Sequence, residues 1–500
     1  MNEAPNLAPH QAADTASPFA DFRADIEAAL AQGQLGQDVI GKGLTIDGAS
    51  GPVRMIYADY AASGRALRQV EHFVMDEVLP IYANPHTQAS FCGRSINRLR
   101  RLAREEIAAS CGAGVGDAVI FAGSGATAGL QKLVRLLGAD RHDSAGRRPV
   151  VLVGPYEHHS NLLPWRESIA EVIELPESQD GGPDTAELAE RLAALRGRHV
   201  ICAFSAGSNV TGALTDVAAV SRLVKAAGGL LIWDYAGAGP YLPMTMRPAS
   251  DVHVDALVCS PHKFVGGPCA SGFLVVRRDA VVIDKPSAPG GGTVSFVTPQ
   301  SHDYLDDLAA REEAGTPNAI ADIRAALAMI VRDCLMRAGL DARAEELRRR
   351  ALARWRVNTR IEILGPDHAR MLPIVSFRVR QTDGSPLHHQ LVTRILSDRF
   401  GVQARGGCAC AGPYVHRLLK IDAAQSDVIR AAIREGRELE KPGFVRVNFS
   451  PLMDEEEFAS LVDAVEEVAR RGEAFAGQFV VDPTTAVFAP LAGVTKSYAD

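Results

Sequence analysis

Lys263 stands in the run Ala256-Leu257-Val258-Cys259-Ser260-Pro261-His262-Lys263, and after Phe264-Val265 comes the glycine pair Gly266-Gly267. A lysine at the mouth of a buried apolar segment is desolvated, sheds its proton readily and can form a Schiff base with a carbonyl. Upstream, Leu230-Leu231-Ile232-Trp233 is another apolar run, and it ends in Asp234. An acid and a lysine at the ends of two successive strands are what pyridoxal phosphate (PLP) needs. The acid keeps the pyridine nitrogen protonated, and the lysine holds the aldehyde. A structural reading competes, in which Asp234 caps a turn and Lys263 is a solvated loop residue. Ser260 and His262 beside the lysine favour the cofactor, as do the small residues after it, where a phosphate can approach the backbone.

Other segments carry polar groups at strand ends. Gly123-Ser124-Gly125-Ala126-Thr127 follows an apolar run and opens a helical one, a turn whose amides suit a phosphate. Its spacing departs from a dinucleotide fingerprint, and no ribose-binding acid follows. His158 and His159 are adjacent, and without a third ligand they make no metal site. His86 suits a structural loop as well as a site, and Asn209 suits an Asx turn before Gly212. Arg446 lies in an apolar strand pattern, where an arginine must meet an anion, either a substrate or a core acid. Cys408 and Cys410 share a loop with Arg405, Gly406 and Gly407. The nearby guanidinium favours a thiolate. A redox pair is an alternative, whereas zinc lacks matching ligands elsewhere.

The elements that must position these residues follow an α/β pattern. Strands are expected at 118–121, 150–153, 172–175, 200–204, 229–234, 256–259 and 272–276, and helices at 22–35, 97–110, 127–137 and 216–227. Such alternation implies a mostly parallel sheet covered on both faces, with ligands at the carboxyl ends of its strands. A long helical stretch runs from 319 to 356. A smaller α/β unit follows, with strands at 374–379 and 444–449, a helical insertion near 427–440 and a last helix at 454–470. The expected organisation is an N-terminal arm and helix (1–50), a large cofactor domain (51–340), a small C-terminal domain (341–475) and a tail (476–500).

Composition narrows the function classes. The 500 residues are 47% hydrophobic, enough for a large core, and the net charge of −7 with no basic stripe argues against nucleic acid. No apolar run of about 18 residues can span a membrane. Eight scattered cysteines fit a reducing compartment. The first 14 residues lack a signal or transit pattern, so the cytoplasm is expected.

Taken together, these segments resemble the class V aminotransferase-fold enzymes, the PLP family of the cysteine desulfurases. The resemblance runs in family order through Tyr57-Ala58-Asp59-Tyr60-Ala61-Ala62, the Gly123–Gly129 turn, Glu157-His158-His159-Ser160-Asn161 and Ser208-Asn209-Val210-Thr211-Gly212. It continues through the lysine segment, Glu313-Ala314-Gly315-Thr316 and Arg405-Gly406-Gly407-Cys408-Ala409-Cys410. It implies a fold-type I PLP enzyme and a homodimer with sites at the subunit interface. Gly125, Ala126, Thr127, Ser260 and His262 would hold the cofactor phosphate, and Thr316 would reach the phosphate in the partner subunit. His158 would stack on the ring, and Asn209 would lie near its phenolic oxygen. Arg446 would clamp the substrate carboxylate, with His86 near the substrate. Cys410 would take sulfur from L-cysteine, leaving L-alanine and a persulfide for an acceptor protein. Two departures stand out. Gly237 occupies the place of a family glutamine, and the stretch between Cys410 and Arg446 is long. The alternatives are another reaction of the same fold on an amino acid, by a C–S or β-elimination lyase, an aminotransferase or an epimerase, and a catalytically idle, cofactor-bound scaffold.

Overall fold

The computed structural model describes residues 17–49, 51–366 and 370–491. The outermost parts of the expected arm and tail therefore lie outside the described residues. A central sheet has seven strands: β1 (Asp117–Phe121), β2 (Val150–Val153), β3 (Glu171–Glu174), β4 (Val200–Ser205), β5 (Leu230–Asp234), β6 (Ala256–Cys259) and β7 (Phe273–Arg277), in the order β1-β7-β6-β5-β4-β2-β3. β7 runs antiparallel to both β1 and β6, and the other neighbours are parallel. The sheet is therefore mixed, with one reversed strand, and the carboxyl ends of the other six share one edge.

Both faces are buried, which is why these strands read as continuous apolar runs rather than alternating ones. Leu152, Cys202, Phe204, Trp233, Leu257 and Cys259 point into one core. Their neighbours Val151, Ile201, Ala203, Ile232 and Val258 point into the other. Helix α1 (Pro18–Ala31) starts one turn before the expected position because Ser17-Pro18 sets its first turn. α2 (Phe91–Ser110) also begins early, where the Ser90 hydroxyl accepts from Gly93 N. α3 (Ala126–Leu136) covers the second face with Leu130 and Leu133, and α4 (Val217–Ala226) covers the first with Val220 and Val224.

The stretch expected as one long helix is two, α5 (Ala319–Arg337) and α6 (Leu340–Trp355). They part at Gly339, whose φ of +70° lies in the left-handed region. α5 is buried nearly all round, including Asp322 and Arg332, which are paired by hydrogen bonds to Ser271 and to the Gly239 and Leu242 carbonyls. Beyond it, β8 (Ile361–Ile363), β9 (Ile374–Val379), β10 (Arg405–Gly407) and β11 (Phe444–Asn448) form an antiparallel sheet in the order β8-β9-β11-β10. α6, α7 (His389–Phe400) and the last helix, Glu455–Ala476, pack on it around Trp355, Phe377, Phe449 and Ile395. Between β10 and β11 stand α8 (Gly412–Leu418) and α9 (Ala423–Arg434), the helical insertion. α10 (Glu455–Ala476) continues past the expected end at 470, because Ala469, Gly472 and Phe475 are buried. A hairpin of Phe479–Asp482 with Val487–Pro490 follows, where the sequence shows no period.

One segment binds the two sheets together. Ile56–Tyr57 pairs in parallel with Val402–Gln403, and the Ala58 carbonyl accepts from Asn448 N at 2.9 Å. A few residues on, Gly64 N donates to His262 O and Gly266 N donates to Arg65 O, both at 2.8 Å, so this segment buttresses the turn that carries Lys263. A Cβ at Gly64 would overlap the Phe264 carbonyl. Gly64→Ala is expected to cost about 1–3 kcal/mol of stability and to weaken cofactor retention together. Denaturant melts and the visible absorbance of the purified variant check both.

Candidate active site

At the carboxyl edge of the central sheet lies a cavity of about 240 Å³. β6 ends at Cys259, and the turn Pro261–Lys263 swings Lys263 into the cavity wall. β5 delivers Asp234, which lies in register with Ser205 at the end of β4. His158 comes from the loop after β2, and Asn209 from the loop after β4. Ser124, Ala126 and Thr127, from the β1–α3 turn, line the same cavity with Ser260 and His262.

Burial sets the chemistry of these groups. Lys263 is held below its ordinary pKa by desolvation, against the attraction of Asp234 and with the help of the Arg446 charge. Asp234 is raised by the same desolvation, and Ala236 N and Lys263 oppose this. A cationic partner at its open oxygen would return it to the carboxylate. Asp234 Oδ1 accepts from Ala236 N at 2.7 Å. Its other oxygen has no hydrogen-bond partner among the described residues. His158 Nδ1 accepts from Ser160 N at 3.0 Å. A backbone amide can only donate, so the ring proton sits on Nε2, and burial carries the pKa down to about 3.

The cavity fits PLP at both ends. At the β1–α3 end, Gly125 has φ +81° and a Cβ there would lie 2.8 Å from Ser260 Oγ and 2.9 Å from His262 Cε1. Gly125 therefore adjoins the cavity at a position where a side chain would crowd Ser260 and His262. Ser260 Oγ accepts from Ala126 N at 2.9 Å, and Thr127 Oγ1 meets Ser160 Oγ at 2.7 Å, so hydroxyls and amides of three loops converge there. That donor set suits a phosphate. At the other end, Asp234 is open to a ring N–H and Lys263 to an aldehyde. Gly237 lines the cavity, and a Cβ there would meet Asn209 at an ordinary 3.6 Å, so the place of the family glutamine is open space.

The remaining residues lie around the rim. Arg446 of β11 is 3% exposed; its Nη1 donates to Asn209 O and its Nη2 to Asp59 Oδ1, both at 3.0 Å. The thiol loop is not free, although its glycines suggest it should be. Arg405–Gly407 is paired as β10, Asn209 Nδ2 donates to Ala409 O at 2.8 Å, and His159 N donates to Cys410 O at 2.7 Å. His159 Nε2 also accepts from Gly412 N at 3.0 Å, so this second histidine anchors the loop instead of lining the cavity. Ala409 and Cys410 both adopt left-handed φ, and the turn leaves Cys408 half-buried and Cys410 exposed. His86 and Thr316 are exposed and do not line the cavity of their own chain. They lie on neighbouring loops, where a Cβ at Gly292 would come 3.1 Å from His86 and Gly315 N donates to Gly291 O.

A model of the class V aminotransferases matches residues 56–461. The chain belongs to that family. Class V enzymes are PLP-dependent, and the seven-stranded sheet with its small antiparallel partner is the fold-type I arrangement. A Mycobacterium leprae protein named "Probable cysteine desulfurase 2" is 31% identical over 324 residues, covering 64% of this chain and 74% of that protein. A cysteine desulfurase of Pectobacterium atrosepticum is 27% identical over 377 residues, covering 72% and 84%. The fold also matches a cysteine desulfurase from Thermococcus onnurineus, with a TM-score of 0.67 and 21% identity over 83% of this chain and 95% of that one. One from Escherichia coli has a TM-score of 0.65 and 21% identity, covering 91% and 99%.

Beside this class V cavity lies a residue that the sequence reading passed over. Glu157 is buried, and its carboxylate accepts from Ser205 N at 2.8 Å and from Ser205 Oγ and Asn161 Nδ2 at 2.6 Å each. Trp165 Nε1 in turn donates to Asn161 Oδ1. This cluster fixes the start of the loop that bears His158. The sequence signal was an acid directly before the histidine pair. Desolvation pushes Glu157 up to about 7, with Asp234 adding repulsion. A pKa raised above its unfolded value means stability that is complete at low pH and lost as pH rises from about 4.5 through about 7. Glu157→Gln cannot ionise and loses one bond from Asn161 at every pH. Relative to wild type, the variant should therefore gain roughly 3 kcal/mol between pH 4.5 and 8, and denaturant melts across that range check the slope.

Proposed function

We propose that the protein is a PLP-dependent cysteine desulfurase that converts L-cysteine to L-alanine and leaves the sulfur on Cys410 as a persulfide. The observation that carries this reading is the docking of the Cys410 loop, by Asn209 and His159, at the rim of the cavity lined by Lys263 and Asp234. The names of the relatives support the same reading.

Ser260, His262, Gly125, Ala126 and Thr127 would hold the phosphate, and Asp234 the ring nitrogen. PLP, when bound, supplies an electron sink that weakens bonds at the substrate's α-carbon. Lys263 would tether the cofactor and, with Nζ neutral, would accept the substrate's α-proton. Arg446 would receive the substrate carboxylate, and His158, protonated on Nε2, would lie beside the ring. The Cys410 thiolate attacks the substrate sulfur. An S–S bond would form as the Cβ–S bond breaks, and a proton delivered to Cβ together with the α-proton returned by Lys263 would complete alanine. The exposed persulfide can then pass to an acceptor thiol. In a homodimer, His86 and Thr316 would face the partner's cavity, and eight free thiols suit the reducing cytoplasm. No helix among the described residues is long and apolar enough to cross a membrane.

One observation favours a second reading. The open space at Gly237 removes a family hydrogen bond to the cofactor, which suits another reaction of the same fold: a C–S or β-elimination lyase, an aminotransferase or an epimerase. Product assays with L-cysteine decide between them, since alanine with persulfide supports the desulfurase and pyruvate with sulfide supports a lyase.

Lys263→Ala should lose the cofactor tether and at least about 10²–10⁴-fold in turnover. Borohydride reduction of the wild type followed by peptide mapping should label Lys263 alone. Cys410→Ser should still bind the cofactor and change colour with L-cysteine, yet form neither persulfide nor alanine at a useful rate. Cys408→Ser should be milder. Wild-type alanine production by Cys410→Ser would remove that residue from the mechanism.

A further inference from the structure

Arg405 and Arg446 are directly opposed in the β10–β11 pair. Like charges facing each other across strands repel unless an anion lies between them. The anion is Asp59, whose Oδ1 accepts from Arg446 Nη2 at 3.0 Å while its Oδ2 accepts from Arg405 Nε at 2.9 Å. Its side chain is 13% exposed, against 4% for Arg446 and 52% for Arg405. The backbone around Asp59 is fixed on both sides. Ala58 N donates to Gln403 O, Asn448 N donates to Ala58 O, and Asp59 O accepts from Ala62 N, all at 2.9 Å. The backbone therefore keeps the carboxylate within reach of both arginines.

Arg446 is not fully used by these contacts. Asn209 O and Asp59 take one hydrogen each from Nη1 and Nη2, and the buried Nε has no partner among the described residues. A guanidinium has five N–H donors, so an edge remains for an incoming carboxylate. Its charge is felt at Lys263 and His158, both on the cavity wall. Two guanidiniums around one carboxylate leave a net charge of about +1 beside the cavity.

We propose that Asp59 is the positioning residue of the substrate-carboxylate site. It holds the planar guanidinium of Arg446 by one nitrogen, leaving its other N–H groups for a carboxylate, and it neutralises Arg405 so that the two strands can carry both arginines. This rests on the reading of Arg446 as the carboxylate donor. A merely structural ion pair would affect every ligand of the cavity equally, whereas a positioning residue affects only ligands with a carboxylate.

Two probes separate these cases. L-alanine and ethylamine differ by the carboxylate alone, and both can be titrated into the cofactor-loaded protein by calorimetry and by visible absorbance. In Asp59→Ala, the dissociation constant of L-alanine should rise about tenfold or more, the scale of a hydrogen bond to a charged group, while that of ethylamine stays put. Asp59→Asn, which keeps one acceptor oxygen, should fall between. Unchanged ethylamine binding and an unchanged spectrum certify that the variant is folded. Equal losses for both probes, or no loss for either, would overturn the proposal. Tighter binding of L-alanine would also overturn it, by making Asp59 a competitor of the substrate. Failure of the desulfurase reading would appear separately, as the absence of alanine from L-cysteine, because neither probe is desulfurated.

Discussion

A guanidinium cannot shed its proton, so a buried arginine must be met by fixed acceptors wherever the fold puts it. Arg446 imposes that constraint here. It rises from the small sheet, and its acceptors come from elsewhere: Asn209 O from the loop after β4, and Asp59 from the segment that pairs with Val402–Gln403. Satisfying one side chain fixes three parts of the chain relative to one another. Asn209 extends the link, since its side chain donates to Ala409 O in the thiol loop. The cavity, the arginine and the thiol thus belong to one hydrogen-bonded unit whose energy is lost if any part moves away.

A second constraint is close backbone approach. The Lys263 turn is wedged between Gly64 on one side and the β1–α3 turn on the other, where Gly272 packs against Gly125 with no room for a Cβ. Such contact brings the amides and hydroxyls of separate loops close enough to converge on one phosphate-sized group. It also makes the site depend on residues that carry no chemistry. The cluster of Glu157, Asn161, Trp165 and Ser205 does the same below His158, with a buried carboxyl group held by Ser205 and Asn161.

The sequence by itself determined the strands of the central sheet and the polar residues at their ends. Their burial on both faces makes each strand an uninterrupted apolar run, so the polar residue that ends it is conspicuous; Asp234 and Lys263 were legible for that reason. Helix ends were less legible, because burial overrides local pattern: α10 runs on to bury Phe475, and one left-handed glycine splits α5 from α6. Period alone could not show that β7 runs backwards, because strand direction leaves no mark on side-chain alternation. Only the tertiary structure decided which partner each rim residue takes. Glycines at 406 and 407 suggest a loose loop, but pairing with β11 and the bonds from Asn209 and His159 dock it. It likewise parted His158, on the cavity wall, from His159, at the loop, and gave Asp59 two arginines that lie about 350 and 390 residues away in the chain. Hydrogen bonds and ion pairs act over a few ångströms of space, and a linear sequence contains no such distances until the chain has folded.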